Sequence, residues 1–252
     1  MASDLIVGLP GSTVDSFRRD LQYFFDRHVM VRVFEPVLLP NSPMNEPAYR
    51  AEHRIVAGDD LRILSTSSYD LDDRDTMMRL RHWNRVAVDL GVLRETLRFL
   101  QREQGLPAAD VLTELDRAVR EEPATYPLAN FLARHLDLFL VPPGSWSAFY
   151  REFRRFLHDR LGIEDLPGWD TVALVEIALR PAPGRHFPVR VELAHDFVAY
   201  AADPSPDARL LDYEPGVLDV DDPATVSSLF FGRSMLRGER TDAGANWFWW
   251  DA

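Results

Sequence analysis

The short segment Gly8-Leu9-Pro10-Gly11-Ser12-Thr13 has residue types that suit contact with a ligand. Two glycines and a proline make a tight turn with few side chains, so the backbone can approach a bound molecule closely. The absence of lysine and the glycine spacing exclude a Walker phosphate-binding loop, and the spacing also differs from the dinucleotide fingerprint. From the residues alone, an ordinary turn between a strand and a helix is the favoured interpretation, and a ligand-contacting turn is the alternative.

Other polar residues indicate chemistry less strongly. Residues 70–75 are acidic and could hold a metal if their carboxylates converged, but capping of a following helix is the favoured role. The seven histidines show no HxH or HExxH spacing, and no GxSxG segment supports a serine hydrolase. His195-Asp196 could form an oriented base for proton transfer or lie in a hairpin turn.

The composition excludes several functional classes. The 252 residues contain no cysteine, so the chain itself supplies no thiol nucleophile, disulfide or cysteine-held cluster. The net charge of −12, from 40 acidic and 28 basic residues, disfavours binding to nucleic acid or anionic lipid. No apolar stretch of about 18 residues predicts a membrane span, and the first residues lack the features of a signal peptide. We therefore expect a cytoplasmic protein that binds neither nucleic acid nor membrane.

The elements that position the glycine turn follow from hydrophobic patterning. Leu5-Ile6-Val7 predicts a strand, and the apolar residues after the turn recur at helical spacing to about residue 28. Residues 30–39 are rich in valine and phenylalanine and end at Pro40, which predicts a second strand. Strand, helix and strand within about forty residues form a βα unit typical of parallel sheets and barrels.

The rest of the chain predicts a helical region and a small α+β tail. Residues 62–66 form a candidate strand, and the pattern from 76 to 160 is helical. In that region the aromatic stripe from Trp146 to Leu157 favours core packing over a substrate cleft. Short strands of the tail are predicted at residues 189–193, 197–200, 210–211 and 217–220. Residues 247–250, three of them tryptophan, are expected to dock on the domain or on a partner because they are too apolar to stay solvated.

Two segments, taken in order, resemble radical S-adenosylmethionine enzymes. Asp4-Leu5-Ile6-Val7-Gly8-Leu9-Pro10-Gly11-Ser12-Thr13 is similar to the late barrel strand and turn that contact adenosine in that family. Phe34-Glu35-Pro36-Val37-Leu38-Leu39-Pro40-Asn41-Ser42-Pro43-Met44 is similar to the next strand and its proline-rich exit in the cobalamin-binding branch. The resemblance covers roughly the first hundred residues. It implies an α/β fold in which the C-terminal part of a partial (β/α) TIM-like barrel precedes a helical region and a small α+β tail. The corresponding segments are residues 1–105, 106–168 and 169–252.

The resemblance also implies a set of cofactor-binding residues. Ile6 would pack against adenine, and Gly8 would let S-adenosylmethionine approach. Ser12 stands where the family commonly has glutamate, which is a departure at a polar contact. The full set is Ile6, Gly8, Pro10, Gly11, Ser12, Leu38 and Leu39, with no catalytic residue assigned.

The chain departs from the family most clearly in lacking the CxxxCxxC motif that holds the 4Fe-4S cluster. Without that cluster S-adenosylmethionine cannot be reductively cleaved, so we do not expect activity from the chain alone. The resemblance therefore implies a C-terminal half that works with a Cys-bearing N-terminal half, the partner chain supplying the cluster and any cobalamin. Cobalamin-dependent methyl transfer or related radical chemistry on a small molecule or peptide would follow. The alternatives are a non-catalytic binding or scaffold module and an inactive fragment.

Overall fold

The computed structural model describes residues 2–135, 145–180 and 188–220. The protein is a mixed α/β structure that divides into two compact units. The first unit spans Met1–Arg85 and the second begins at Val86. The aromatic segment 247–250 lies outside the described residues. No helix within the described ranges is long and apolar enough to cross a membrane.

The first unit contains the predicted strand, helix and strand. Its elements are β1 (Ala2–Ile6), α1 (Val14–Asp26), β2 (Met30–Phe34), a 3-10 turn (Pro43–Asn45), α2 (Pro47–Glu52), β3 (Val56–Ala57), β4 (Ile63–Ser65) and α3 (Leu71–Asn84). The prediction of a strand at residues 62–66 is confirmed by β4. The second predicted strand is shorter than expected, because Pro36 has no amide proton and the chain from that point pairs instead with residues 61–63, which lead into β4. In that pairing Val37 bridges Arg62.

Strands β1 and β2 pair in parallel, with Asp4 opposite Arg32 and Ile6 opposite Phe34. Because side chains alternate along a strand, these four residues share one face of the pair. The valines of β2 point to the other face and are buried, together with side chains of α1 and α3. The four residues on the first face are exposed, and an Arg32–Asp4 ion pair of 2.9 Å crosses it. Asp4, Ile6, Arg32 and Phe34 are named here the open face.

One hydrophobic cluster holds the first unit together. Its members come from β2 and β4, from the segments that follow β1, β2 and α2, from the segment before α3, and from α1 and α3. They are Val7, Phe17, Leu21, Val31, Val33, Leu38, Ile55, Ile63, Tyr69, Met77 and Leu80. Burial of this apolar surface is the main contribution that fixes both helices on one face of the β1–β2 pair.

Helix α3 begins at the acidic segment of residues 70–75, as predicted from the sequence. The side chain of Asp70 accepts a hydrogen bond from the Asp73 amide at 2.9 Å, and the Asp73 side chain accepts from the Asp70 amide at 3.4 Å. This reciprocal arrangement satisfies two amides that would otherwise lack partners at the start of the helix. The helix-capping interpretation of residues 70–75 is therefore confirmed.

The second unit begins within a π-helical turn (Arg85–Asp89), and its described helices confirm the helical pattern predicted for residues 76–160. Its elements are α4 (Arg94–Gln104), α5 (Ala108–Glu121), α6 (Pro127–His135), α7 (Trp146–Leu161), α8 (Trp169–Ala178), β5 (Val189–Leu193), α9 (Phe197–Ala202), a 3-10 turn (Leu210–Asp212) and β6 (Gly216–Val220). Strands β5 and β6 pair antiparallel, which confirms the strands predicted at residues 189–193 and 217–220.

Two strand predictions in the tail are wrong. Residues 197–200 belong to α9, because Asp196 accepts the Ala199 amide at 2.9 Å and so starts a helix. Residues 210–211 belong to the 3-10 turn, whose first amide at Leu210 donates to the Glu103 carboxylate at 2.9 Å. In both places a side-chain acceptor satisfies the backbone, so no strand partner is needed.

The aromatic stripe of α7 packs in the core, as predicted. Trp146, Phe149, Tyr150, Phe153, Phe156 and Leu157 are all buried. Glu152 of the same helix serves a different purpose, since its carboxylate accepts the amides of Leu128 at 3.0 Å and Ala129 at 2.8 Å. The first turn of α6 is thus capped by a side chain of α7.

Glu176 places a carboxyl group between α8 and α4. Its Oε1 accepts the Thr96 amide at 3.0 Å, and Arg180 Nη2 lies 3.8 Å from Oε2. The side chain is completely buried. Burial raises the pKa of Glu176 to about 7, against the opposing effect of Arg180.

Candidate functional site

The glycine turn directly follows β1 at the carboxyl edge of the parallel strands. Val7 N–H donates to Phe34 O at 2.9 Å, which extends the β1–β2 ladder by one residue. Gly8 and Gly11 have φ values of +75° and +95°, in the left-handed region that favours glycine. This is the edge at which open α/β sheets bind ligands, so the turn lies where a ligand is expected.

Hydrogen bonds hold the second half of the turn. Thr13 Oγ1 accepts the Ser16 amide at 3.1 Å and Ser16 Oγ accepts the Thr13 amide at 2.9 Å, so α1 starts with a reciprocal cap. Gly11 N–H donates to Ser68 Oγ at 3.0 Å. The Gly11 amide therefore has a partner within the chain.

Tyr69 fills the space beside Gly8. Its hydroxyl donates to Gly8 O at 2.6 Å, and a Cβ atom on Gly8 would lie only 3.0 Å from the hydroxyl oxygen. Burial raises the pKa of Tyr69 to about 12, although Arg74 acts in the opposite direction. At neutral pH the hydroxyl therefore keeps its proton and remains a donor to the backbone of the turn.

Glu35 is the first residue after β2 and is held by two arginines of α3. Its Oε2 accepts from Arg74 Nη2 and its Oε1 from Arg81 Nη1, each at 3.0 Å. Arg74 Nε also donates to Ile63 O at 3.1 Å, and Arg81 Nε donates to Val33 O at 2.8 Å. The Glu35 side chain is 18% exposed, so these pairs are less screened by water than surface ion pairs. The carboxylate is thereby fixed at the carboxyl edge, next to the glycine turn.

A cavity of about 10 Å³ is lined by Gly8, Glu35, Tyr69 and Arg74, with apolar side chains completing its wall. Its volume corresponds to about one water molecule or one hydroxyl group. An adenine ring is much larger than this space. The cavity can therefore take a single polar group of a ligand, and the rest of that ligand would have to lie outside it.

The structure separates the residues predicted to bind the cofactor. Gly8 lines the cavity, whereas Ile6 lies on the open face and is 45% exposed. Leu38 is fully buried in the core, and the next residue, Leu39, is 62% exposed on the surface. The turn itself holds Pro10, Gly11 and Ser12.

The three polar side chains that line the cavity, those of Glu35, Tyr69 and Arg74, were not among the predicted residues. Glu35 carries a signal in the sequence, because a charged residue directly after an apolar strand of a βα unit lies at the ligand-binding edge. Tyr69 is 61 residues from Gly8, and Arg74 is 39 residues from Glu35. Their approach depends on how α3 packs, which no local pattern indicates.

The residues present fit the implied cofactors unequally. Cysteine thiolates hold a 4Fe-4S cluster, and the chain has none, so it does not fit a cluster of its own. Ile6 and Phe34 offer an exposed apolar surface suited to the flat face of adenine. The space beside Gly8, in contrast, is occupied by Tyr69.

The His195–Asp196 pair serves local structure. His195 Nδ1 lies 3.0 Å from Tyr213 O, while Asp196 caps α9, so the two side chains have separate partners. Among the residues that the structure describes, no group of three or more histidine, aspartate or glutamate side chains is arranged to hold a metal ion.

No model of a known protein family matches the chain, and no curated protein matches its sequence.

Proposed function

We propose that this chain is the C-terminal half of a radical S-adenosylmethionine enzyme, in which the β1–α1–β2 unit forms part of a barrel completed by another polypeptide. The proposal extends the resemblance of the two segments around Gly8 and Leu38. A Cys-bearing partner chain would hold the 4Fe-4S cluster and supply any cobalamin. The reaction would be methyl transfer or related radical chemistry on a small molecule or peptide.

The observation that carries the proposal is the one-sided packing of β1 and β2. Helices α1 and α3 bury one face of this parallel pair, while Ile6 and Phe34 on the open face are 45% and 46% exposed. In a (β/α) barrel the helices lie outside and the opposite strand face lines the interior. Parallel strands are normally covered on both faces. The open face therefore has the character of the interior face of a barrel, which further strands would have to complete.

Binding of S-adenosylmethionine tests the proposal. We expect equilibrium dialysis to detect weak binding to the isolated chain and tighter binding when a Cys-bearing partner is present. Ile6→Asp is expected to weaken binding by about tenfold or more, because it places a charge against the adenine surface. Val56→Asp is the matched control, since Val56 is a similarly exposed strand residue that lies outside the cavity and the open face. Equal loss in both variants, or no binding at all, would contradict the proposal.

Gly8→Val is a less informative variant than Ile6→Asp. Gly8 has a positive φ and its missing side chain leaves room for Tyr69, so a valine is expected to disturb the fold itself. Loss of binding in that variant would not separate a ligand contact from misfolding. Ile6 is exposed on the open face, and its replacement changes the surface with little effect on the core.

A non-catalytic binding or scaffold module is the second candidate. It is favoured by the contact between Tyr69 and Gly8, which fills the space that the resemblance assigns to the ligand. An anoxic pull-down from the native host separates the two candidates, with iron and cobalamin measured in the recovered sample. Recovery of a Cys-bearing partner with iron supports the enzyme. Recovery of the chain with a partner that carries neither cluster nor cobalamin supports the scaffold.

A further inference from the structure

The backbone groups of β1 and β2 point alternately towards the other strand and towards an outer edge. In a parallel pair, each residue directs its N–H and its C=O to one edge, and the next residue directs both to the opposite edge. Val7 N–H donates to Phe34 O at 2.9 Å, so the backbone of Phe34 faces β1 and that of Val33 faces away from it. By the same alternation, Asp4 and Ile6 direct their backbone groups to the outer edge of β1.

A side chain of α3 lies across the outer edge of β2. Arg81 Nε donates to Val33 O at 2.8 Å, which takes one acceptor of this edge. Arg81 Nη1 also donates to Glu35 Oε1 at 3.0 Å, so the guanidinium is fixed on both sides. A further strand could pair along this edge only by breaking both hydrogen bonds. The outer edge of β2 is therefore obstructed.

The outer edge of β1, in contrast, keeps its donors and acceptors. Asp4 and Ile6 present their N–H and C=O groups there, and no residue that the structure describes bonds to them. Both residues are exposed, Ile6 by 45%. Donors and acceptors that alternate along an exposed edge form a template for an extended strand of another chain.

We propose that the partner chain joins this protein by adding a parallel strand to the outer edge of β1, bonded through the backbone of Asp4 and Ile6. The inference rests on the proposed function, which assigns the remaining barrel strands to the partner, and the strands of such a barrel are parallel. One face of the added strand lies beside Ile6 and extends the open face. Its other face lies beside Leu5, which packs against the hydrophobic cluster. The partner strand is therefore expected to be apolar on both faces.

Asp4→Pro tests the strand addition. It removes an N–H that has no partner in the structure, and proline is tolerated on edge strands where the N–H faces solvent. The tagged full chain is the bait in an anoxic lysate of the native host, and the iron recovered per chain is measured. Recovery is expected to fall at least about tenfold, because a backbone hydrogen bond is lost and the proline ring blocks the edge.

Asp4→Ala is the matched control for this variant. It removes the same side chain and the ion pair with Arg32, but it keeps the N–H at the edge. Exposed ion pairs contribute little to stability, so this variant should recover as much iron as the unaltered chain. An equal loss of iron in both variants would overturn the backbone contact.

Hydrogen exchange tests the same edge without any substitution. In the isolated full chain the amides of Asp4 and Ile6 should exchange fast and those of Leu5 and Val7 slowly, because only the second two bond to β2. In the complex with the iron-bearing partner, the amides of Asp4 and Ile6 should become protected. Protection of these two amides in the isolated chain would overturn the inference, since a second copy of the chain would then occupy the edge.

The outcomes separate this inference from the proposed function. Equal iron recovery by Asp4→Pro and the unaltered chain, with fast exchange at Asp4 and Ile6 in the complex, overturns the strand addition and leaves the proposed function standing. Failure of the unaltered chain to recover any iron-bearing partner overturns both. If Asp4→Pro does not fold, as judged by circular dichroism, the exchange of the two amides in the unaltered chain decides the matter.

Discussion

At the residue scale, Glu176 shows how packing alters the chemistry of one side chain. Its Oε2 has no hydrogen-bond donor among the described residues, and Arg180 is too distant to supply one. Arg94 and Glu95 of α4 also act on it electrostatically, with opposite signs. Burial is the dominant effect and raises its pKa to about 7, compared with an ordinary value of 4.5. The folded protein therefore binds this proton more tightly than the unfolded chain does.

Glu176→Gln is expected to remove a pH dependence of stability. Between pH values of about 4.5 and 7 the folded state keeps a proton that the unfolded chain releases, so the free energy of unfolding falls as the pH rises. The loss is on the order of 3 kcal/mol by pH 8. The glutamine variant lacks this ionisation and should gain in Tm relative to the unaltered protein as thermal unfolding is followed from pH 4.5 to 8.

The control for this prediction is Glu192→Gln, because Glu192 is an exposed residue of β5. Its replacement should change Tm little, because substitutions of exposed residues usually alter the free energy of unfolding by less than about 0.5 kcal/mol. A Tm difference for Glu176→Gln that stays constant across the same range would show that the carboxyl group does not titrate in this window.

At the element scale, α3 positions the site because it carries both arginines that hold Glu35. Asp70→Ala removes the side-chain cap at the start of α3 and is expected to lower the free energy of unfolding by about 1 kcal/mol. Urea unfolding measures this change. Asp72→Ala is the matched control, because Asp72 lies in the same first turn without a capping role, and it should cost less. An equal cost for both variants would contradict the capping role.

The elements also show which parts of the fold the sequence could reveal. The order of β1, α1 and β2 was predictable because apolar periodicity and the glycine turn are local signals. The helix at residues 197–202 was missed because Asp196 starts it through one side-chain hydrogen bond, which the apolar pattern does not reveal. The contact of Tyr69 with Gly8 was missed because it joins residues 61 positions apart and follows from tertiary packing. Of Gly8, Glu35, Tyr69 and Arg74, which line the cavity, only Gly8 was therefore among the predicted residues.

At the scale of the whole molecule, the chain divides into two compact units. The first unit buries its own hydrophobic cluster within residues 1–85. Helix α4, which the resemblance groups with the first hundred residues, packs against α5 and α8. We therefore expect an isolated fragment of residues 1–85 to unfold in one cooperative thermal transition, as followed by circular dichroism.

A fragment of residues 1–105 provides the comparison. It would carry α4 without α5 and α8, leaving the apolar face with Leu97, Phe99 and Leu100 uncovered. Sedimentation should show self-association of the longer fragment through this surface. A monomeric, cooperatively folded 1–105 fragment beside a disordered 1–85 fragment would place the boundary after α4 instead.

The cap that Glu152 provides for α6 has a consequence for the order of folding. Helix α6 has 9 residues, and isolated helices of fewer than about 12 residues are marginal in water. Its first amides are satisfied by a carboxylate more than twenty residues later in the chain. During synthesis the segment 127–135 therefore emerges before its cap exists. It acquires this cap only when α7 docks, so we expect the two helices to become stable together.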